Sequence, residues 1–113
     1  MKLLLDEDLP KRLKHDLPGH ETFTVRDMGW NGLGNGVLLG KMKEHGFHGL
    51  LTFDKNIRFQ QNFEKYDLPV FVLDAQDNTY DTLRPLMASV LEALSSTVAF
   101  GPIHITGLAK DSK

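Results

Sequence analysis

Four aspartates stand where short apolar or β-branched runs stop. Asp6 closes Leu3-Leu4-Leu5, Asp27 follows Glu21 to Val25, Asp54 follows Gly49 to Phe53, and Asp74 follows Val70-Phe71-Val72-Leu73. Each run reads as a strand, and in a parallel sheet all strand carboxyl ends lie along one edge, where ligands bind in the crevice at the point of strand-order reversal. If the first and third strands are neighbours, Asp6 and Asp54 face one crevice, with Asp27 and Asp74 further out. Carboxylates held that close repel one another and require a shared proton or a cation. Mg²⁺ or Mn²⁺ suits such a place, because a hard cation needs only one or two protein carboxylates and leaves room for waters and phosphate oxygens. A metal there can activate water and stabilise the leaving oxygen of a phosphodiester. Asp6 and Asp54 are therefore the candidate catalytic pair, and Asp6, Asp8 and Asp54 the candidate metal ligands. The competing reading is local: Asp is favoured as a turn residue and helix cap wherever a strand feeds a helix, and Asp8 suits a cap for a helix starting at Leu9.

Beside the third acid, Asp54-Lys55-Asn56-Ile57-Arg58 adds two cations and an amide. Lys55 and Arg58 are candidates to hold a phosphate backbone, with Asn56 or Gln60 as hydrogen-bond donors, although solvated surface is the usual fate of such residues. Phe59 and Phe63, one helical turn apart, suit stacking on unpaired bases or, more commonly, a core. The group Lys11-Arg12-Lys14 with His15 reads as the wet face of the first helix. His15, His20, His45, His48 and His104 form no helical metal-binding pair and read as structural. The glycine-rich stretch around Trp30 lacks the lysine-serine ending of a phosphate loop, and Trp30 itself reads as core.

These residues need elements to position them. Lys2 to Leu5 gives a first strand, expected at the centre of the sheet. Leu9, Leu13 and Leu17 at four-residue spacing predict a helix capped by Asp8 and ended by Pro18-Gly19. Glu21 to Val25 is a second strand, Met28 to Gly36 a glycine-rich loop, and Val37 to His45 a helix with Leu38, Leu39 and Met42 inward. Gly49 to Phe53 is the third strand, Asn56 to Tyr66 a short helix, and Val70 to Leu73 the fourth strand. A longer helix from about Asp81 carries Leu83, Met87, Val90, Leu91 and Leu94, and Pro102 to Thr106 gives the last strand. Strands alternating with helices predict an α/β three-layer sandwich on a mostly parallel five-stranded sheet.

With 113 residues, 41% of them hydrophobic and 25% charged, the chain fits one globular domain over residues 1–106, followed by a frayed tail at 107–113. A net charge of -2 does not advertise nucleic-acid binding, so any such binding must come from a local patch. The absence of cysteine excludes disulfides and thiolate metal sites and accords with a reducing cytoplasm. No run is long enough for a signal peptide or membrane span. Apolar surface on the last helix is a candidate homodimer face.

The order of motifs resembles a known family. Leu4-Leu5-Asp6-Glu7-Asp8-Leu9-Pro10, Thr24-Val25-Arg26-Asp27-Met28-Gly29-Trp30, Gly46-Phe47 leading to Leu50-Leu51-Thr52-Phe53-Asp54-Lys55-Asn56, and Gln60-Gln61-Asn62 look like the small PIN-like domain proteins. The resemblance covers nearly the whole chain. It implies a PIN-like fold and a metal-dependent ribonuclease that cleaves RNA, often encoded as the toxin of a type II toxin-antitoxin pair with a small antitoxin partner. Asp6 matches the acid that ends the family's first strand, and Asp54 the acid of its threonine-x-aspartate-lysine signature. Asp8 stands where asparagine is usual, and Asn35, Gly36 and Val37 stand where many relatives carry an acid.

Other classes fit part of the pattern. A receiver-like phosphoacceptor domain shares the acids after the first strand and the aspartate after the third. It would also want a hydroxyl residue after the fourth strand and a lysine after the fifth, where this chain has Asp74-Ala75 and Thr106-Gly107. A haloacid-dehalogenase-type phosphatase matches Asp6-x-Asp8 and Thr52, but the chain is short for its cap. A non-catalytic PIN-like module that binds a protein partner is the remaining class.

Overall fold

Leu3, Leu4 and Leu5 are wholly buried, which for consecutive strand residues means that both faces of the sheet are covered. The computed structural model describes residues 1–54, 68–95 and 101–106. Its strands are β1 (Lys2–Leu5), β2 (Glu21–Thr24), β3 (Gly49–Thr52), β4 (Pro69–Asp74) and β5 (Gly101–Thr106), paired in the order β2-β1-β3-β4-β5. Every pairing is parallel. β1 is thus interior, flanked by β2 and β3, while β3 holds the centre.

Alternation along β1 divides the core. Leu3 and Leu5 face a layer made by Leu9, Leu13 and Leu17 around the 3₁₀ helix Lys11–Asp16, together with Leu83, Leu86, Met87, Val90 and Leu94. Leu4 faces the opposite layer, where Leu38, Leu39 and Met42 of α2 (Asn35–Glu44) meet Val25, Trp30 and Phe47. Each fully buried leucine contributes roughly 1.5–3 kcal/mol of transfer free energy, so these layers fix the register of every strand. Gly49 matters for the same reason: a Cβ there would stand 3.3 Å from the Phe71 ring and 3.4 Å from Leu3, so its bareness lets that ring lie against the sheet.

The expected α/β architecture is present, with helices on both faces of a five-stranded parallel sheet. Local boundaries differ for physical reasons. The helix expected from Leu9 is instead a six-residue 3₁₀ helix from Lys11, because Pro10 is extended at φ -65 and ψ 134, and no side chain caps it. The expected loop from Met28 is shorter, since α1 (Val25–Met28) follows β2 directly and turns at Gly29, whose φ is +73. The single helix expected from Asp81 is two, α3 (Tyr80–Leu83) and α4 (Leu86–Ser95). Pro85 has no amide to donate and its ring crowds the preceding turn, which accounts for the break. α4 buries Leu86, Met87, Val90 and Leu94 inside the molecule, so its apolar stripe faces the sheet. The expected helix Asn56 to Tyr66, with Lys55, Asn56, Arg58, Phe59, Gln60 and Phe63, and the expected tail lie outside the described residues. Among the described residues, no helix is long and apolar enough to cross a membrane.

Candidate active site

β1 connects to β2 on one side and the chain crosses to β3 on the other, so the strand order reverses between β1 and β3. This is the switch point at which open α/β sheets bind ligands, and the residues at its carboxyl end are Asp6 and Thr52. The Asp6 amide continues the ladder by donating to the Leu51 carbonyl at 2.9 Å. Its carboxylate is held from two directions. The Thr52 hydroxyl donates to Oδ2 at 2.7 Å and the Glu7 amide donates to Oδ1 at 2.8 Å. Thr52 is wholly buried, and its Oγ1 also accepts the Asp54 amide at 3.0 Å. One hydroxyl therefore holds the Asp6 carboxylate and the backbone at Asp54.

Asp8 joins them. The expectation that Asp8 caps the following helix is not met: its Oδ1 accepts the Phe53 amide at 3.3 Å, across at the end of β3. The backbone requires this, because the turn Asp6 to Leu9 closes on itself through the Leu9 amide and the Asp6 carbonyl, carrying Asp8 over the strand ends. Asn78, in the loop after β4, donates its side-chain Nδ2–H to the Asp8 carbonyl at 2.8 Å and braces that turn.

Burial and like charge act together here. Burial pushes the Asp6 carboxyl above its ordinary range against the pull of the Thr52 hydroxyl and the Glu7 amide, and the Glu7 and Asp54 carboxylates push the same way. Burial first, then the Asp6 charge, drive Asp8 up to about 6, with Asp54 adding to the rise. The field of Asp54 thus reaches both Asp6 and Asp8. Among the described residues, no group of three or more His, Cys, Asp or Glu side chains is arranged to hold a metal ion. Asp6 and Asp8 supply hard oxygen donors of the kind taken by a cation that keeps most of its waters, and such an ion needs only one or two carboxylates.

Of the other two strand-end aspartates, Asp27 stands apart. Asp27 is a cap: its Oδ2 accepts the Thr24 amide at 2.9 Å, its own amide donates to Thr24 Oγ1 at 2.9 Å, and Lys14 Nζ pairs with it at 2.9 Å. Those bonds hold its carboxyl below the usual range, the Thr24 amide foremost. Asp74 ends β4, in register with Thr106 of β5.

On the far side of Asp6 a cleft of about 180 Å³ opens between the ends of β1 and β2, lined by Asp6, Glu7, Lys11, Arg26, Asp27 and Asn31 among others. Glu7 is turned to this side and its Oε2 accepts the Gly32 amide at 2.6 Å. Sequence reasoning missed Thr52 as the group that positions the acids, and missed Lys11, Arg26 and Asn78. A threonine two residues before a strand-end aspartate was the available signal for Thr52. Lys11 read as wet helix surface, and no spacing rule relates it to Arg26. Comparison with protein-family models, curated proteins and solved structures finds no match.

Proposed function

We propose that this chain is a PIN-like, Mg²⁺- or Mn²⁺-dependent ribonuclease, the toxin of a toxin-antitoxin pair neutralised by a small antitoxin protein. The observation that carries the reading is the crowding of Asp6 and Asp8 at the β1/β3 switch point, with Asp54 close enough for its charge to act on both. Two partly buried carboxylates disfavour each other at neutral pH unless a cation joins them, so the arrangement favours a ligand over the bare protein. Asp6 and Asp8 would hold the ion, with Asp54 facing it, and the ion would supply an activated water and a counter-charge for the phosphate oxygens. Thr52 fixes the direction of the Asp6 carboxylate and of the chain at Asp54. Asn78 and the Phe53 amide hold the Asp8 turn so that its carboxylate stays at the strand ends. Lys55, Asn56 and Arg58 follow Asp54 in sequence and are proposed to bind the RNA backbone.

The test is cleavage of a labelled single-stranded RNA with Mg²⁺ or Mn²⁺, compared with EDTA. Asp6→Asn and Asp54→Asn should each abolish cleavage while circular dichroism and thermal melting stay those of a folded protein. Metal-independent cleavage, or full activity in either variant, would sink the reading.

A second reading has one observation of its own. The strand order 2-1-3-4-5 is also that of receiver-type phosphoacceptor domains, with Asp54 just beyond the third strand. Formation of an acyl phosphate on Asp54 from acetyl phosphate, lost in Asp54→Asn, would favour it over the nuclease.

A further inference from the structure

We propose that the cleft between the ends of β1 and β2 seats a phosphodiester group of single-stranded RNA, held by Lys11 and Arg26 one step along the backbone from the acids. This rests on the nuclease reading and names part of its substrate site.

The charges lining the cleft do not cancel evenly. The Asp27 carboxylate is already answered by Lys14 and the Thr24 amide, Glu7 accepts the Gly32 amide, and Asp6 accepts the Thr52 hydroxyl and the Glu7 amide. Lys11 and Arg26 have no ion pair and no side-chain hydrogen bond with any described residue, and both are exposed at the rim. What remains is that Lys11 and Arg26 line the cleft without an ion pair, together with Asn31 and the Asp6 and Glu7 carboxylates, and a cation held by Asp6 at the strand ends would leave the two basic groups in excess. Cations so left over, beside an acidic centre, match a substrate that brings its own negative charge.

Size favours a group on a polymer over a free metabolite. The volume of about 180 Å³ is well below the roughly 300 Å³ at which pockets begin to enclose whole small molecules. One phosphate with part of its sugar fits within that volume, and the rest of a chain can continue out of the open cleft. Asp6 is shared by the cleft and by the β1/β3 notch, so a phosphate seated against Lys11 and Arg26 lies on the strand adjoining the bond that the acids would attack. A chain running across the strand ends from β2 towards β3 would cross both sites in turn.

The experiment measures binding of a fluorescein-labelled ten-nucleotide oligouridylate by anisotropy in EDTA, where the proposed metal chemistry is silent, across a series of salt concentrations. Lys11→Ala and Arg26→Ala should each weaken binding and flatten the plot of log K against log salt by about 0.7, the share of one phosphate contact on a single strand. Lys11→Arg and Arg26→Lys should restore most of the slope, and Lys43→Ala, at the far end of α2, should leave it unchanged. Thermal melts of the same variants separate lost contacts from lost folding. In a parallel titration with inorganic phosphate, amide resonances of Arg26, Asp27 and Asn31 should shift in the wild type and stay fixed in the double variant. RNA binding with an unaltered slope in both alanine variants overturns the cleft while leaving the nuclease reading standing. No RNA binding by the wild type overturns the cleft as an RNA site, even if inorganic phosphate moves the resonances. Cleavage that fails while RNA still binds through Lys11 and Arg26 leaves the cleft standing and overturns the nuclease.

Discussion

The two ends of the sheet treat charge in opposite ways. At the amino edge the charges of Lys2 and Met1 have answers: Lys2 Nζ donates to the His45 carbonyl at 2.8 Å and lies 4.5 Å from the centre of the Phe47 ring, the Lys2 amide donates to His48 Nδ1 at 2.9 Å, and the Met1 ammonium donates to His20 Nδ1 at 3.1 Å. At the carboxyl edge Asp6 and Asp8 are drawn out of water beside each other and beside Asp54. An edge that serves only folding would not keep that repulsion. The amino edge therefore reads as stability, and the carboxyl edge, where like charges are kept together at a cost to stability, is where the proposed ligand site lies.

The comparison breaks if removing a charge at the carboxyl edge harms folding as much as activity. Asp6→Asn is the largest expected effect: cleavage in Mg²⁺ or Mn²⁺ falls below detection, while the melting temperature without metal at pH 7 stays equal or rises. A variant that is both inactive and strongly destabilised would make Asp6 a structural residue. Next comes Thr52→Val, which keeps shape but removes the hydroxyl from between Asp6 and Asp54. Groups that orient a metal ligand typically contribute 10- to 100-fold, so activity or the Mn²⁺ affinity read by calorimetry should fall by about that factor. Asp6 should also protonate at higher pH, because its strongest hydrogen-bond partner is gone.

Asp8→Asn sharpens the same contrast through pH. The folded-state pKa of about 6 stands above the ordinary 3.8, so between those values the folded chain binds more protons than the unfolded chain and stability falls as pH rises. Removing the charge should stabilise the metal-free protein at pH 7 by on the order of 1 kcal/mol after allowance for solvent screening, with no gain below about pH 4. Urea unfolding of both proteins at pH 4 and pH 7 measures it. Mn²⁺ should reverse the order by stabilising the wild type more than the variant, since an ion bound to the folded state alone contributes about 2.7 kcal/mol at a hundredfold excess over its Kd.

The layers were readable from the chain because burial on both faces writes itself as unbroken apolar runs, as in Leu3 to Leu5 and Val70 to Leu73. Placing Asp6 beside the end of the third strand followed from the shared carboxyl edge of a parallel sheet only on the condition that the first and third strands are neighbours, which the β1/β3 pairing meets. What stayed hidden depends on contacts between distant segments. Asp8 has the residue type of a cap and the sequence position of one, yet it bonds to Phe53, 45 residues away. Asp27 looks much like Asp6 in sequence, and only the Thr24 and Lys14 contacts reveal it as the capping residue. Pro85 divides the helix expected from Asp81, and Pro10 delays the one expected from Leu9.

The smallest expected effects lie at the amino edge. Lys2→Ala should reduce stability by about 0.5–1 kcal/mol, the scale of one exposed hydrogen bond with a cation–aromatic contact, and leave cleavage unchanged. His20 gives this edge a pH response opposite to that of Asp8. Burial, with the Met1 ammonium adding to it, holds the ring below its ordinary 6.5, so as pH falls below that value the unfolded chain takes up the proton first and stability is lost. From pH 6.5 downward His20 thus weakens the fold while Asp8, from about 6 towards 3.8, strengthens it. His20→Gln should make wild-type-like melting temperatures rise more steeply on acidification through this window. Asp8→Asn should make them fall. If both variants bend the pH profile the same way, the two ends of the sheet do not differ in the manner their contacts require.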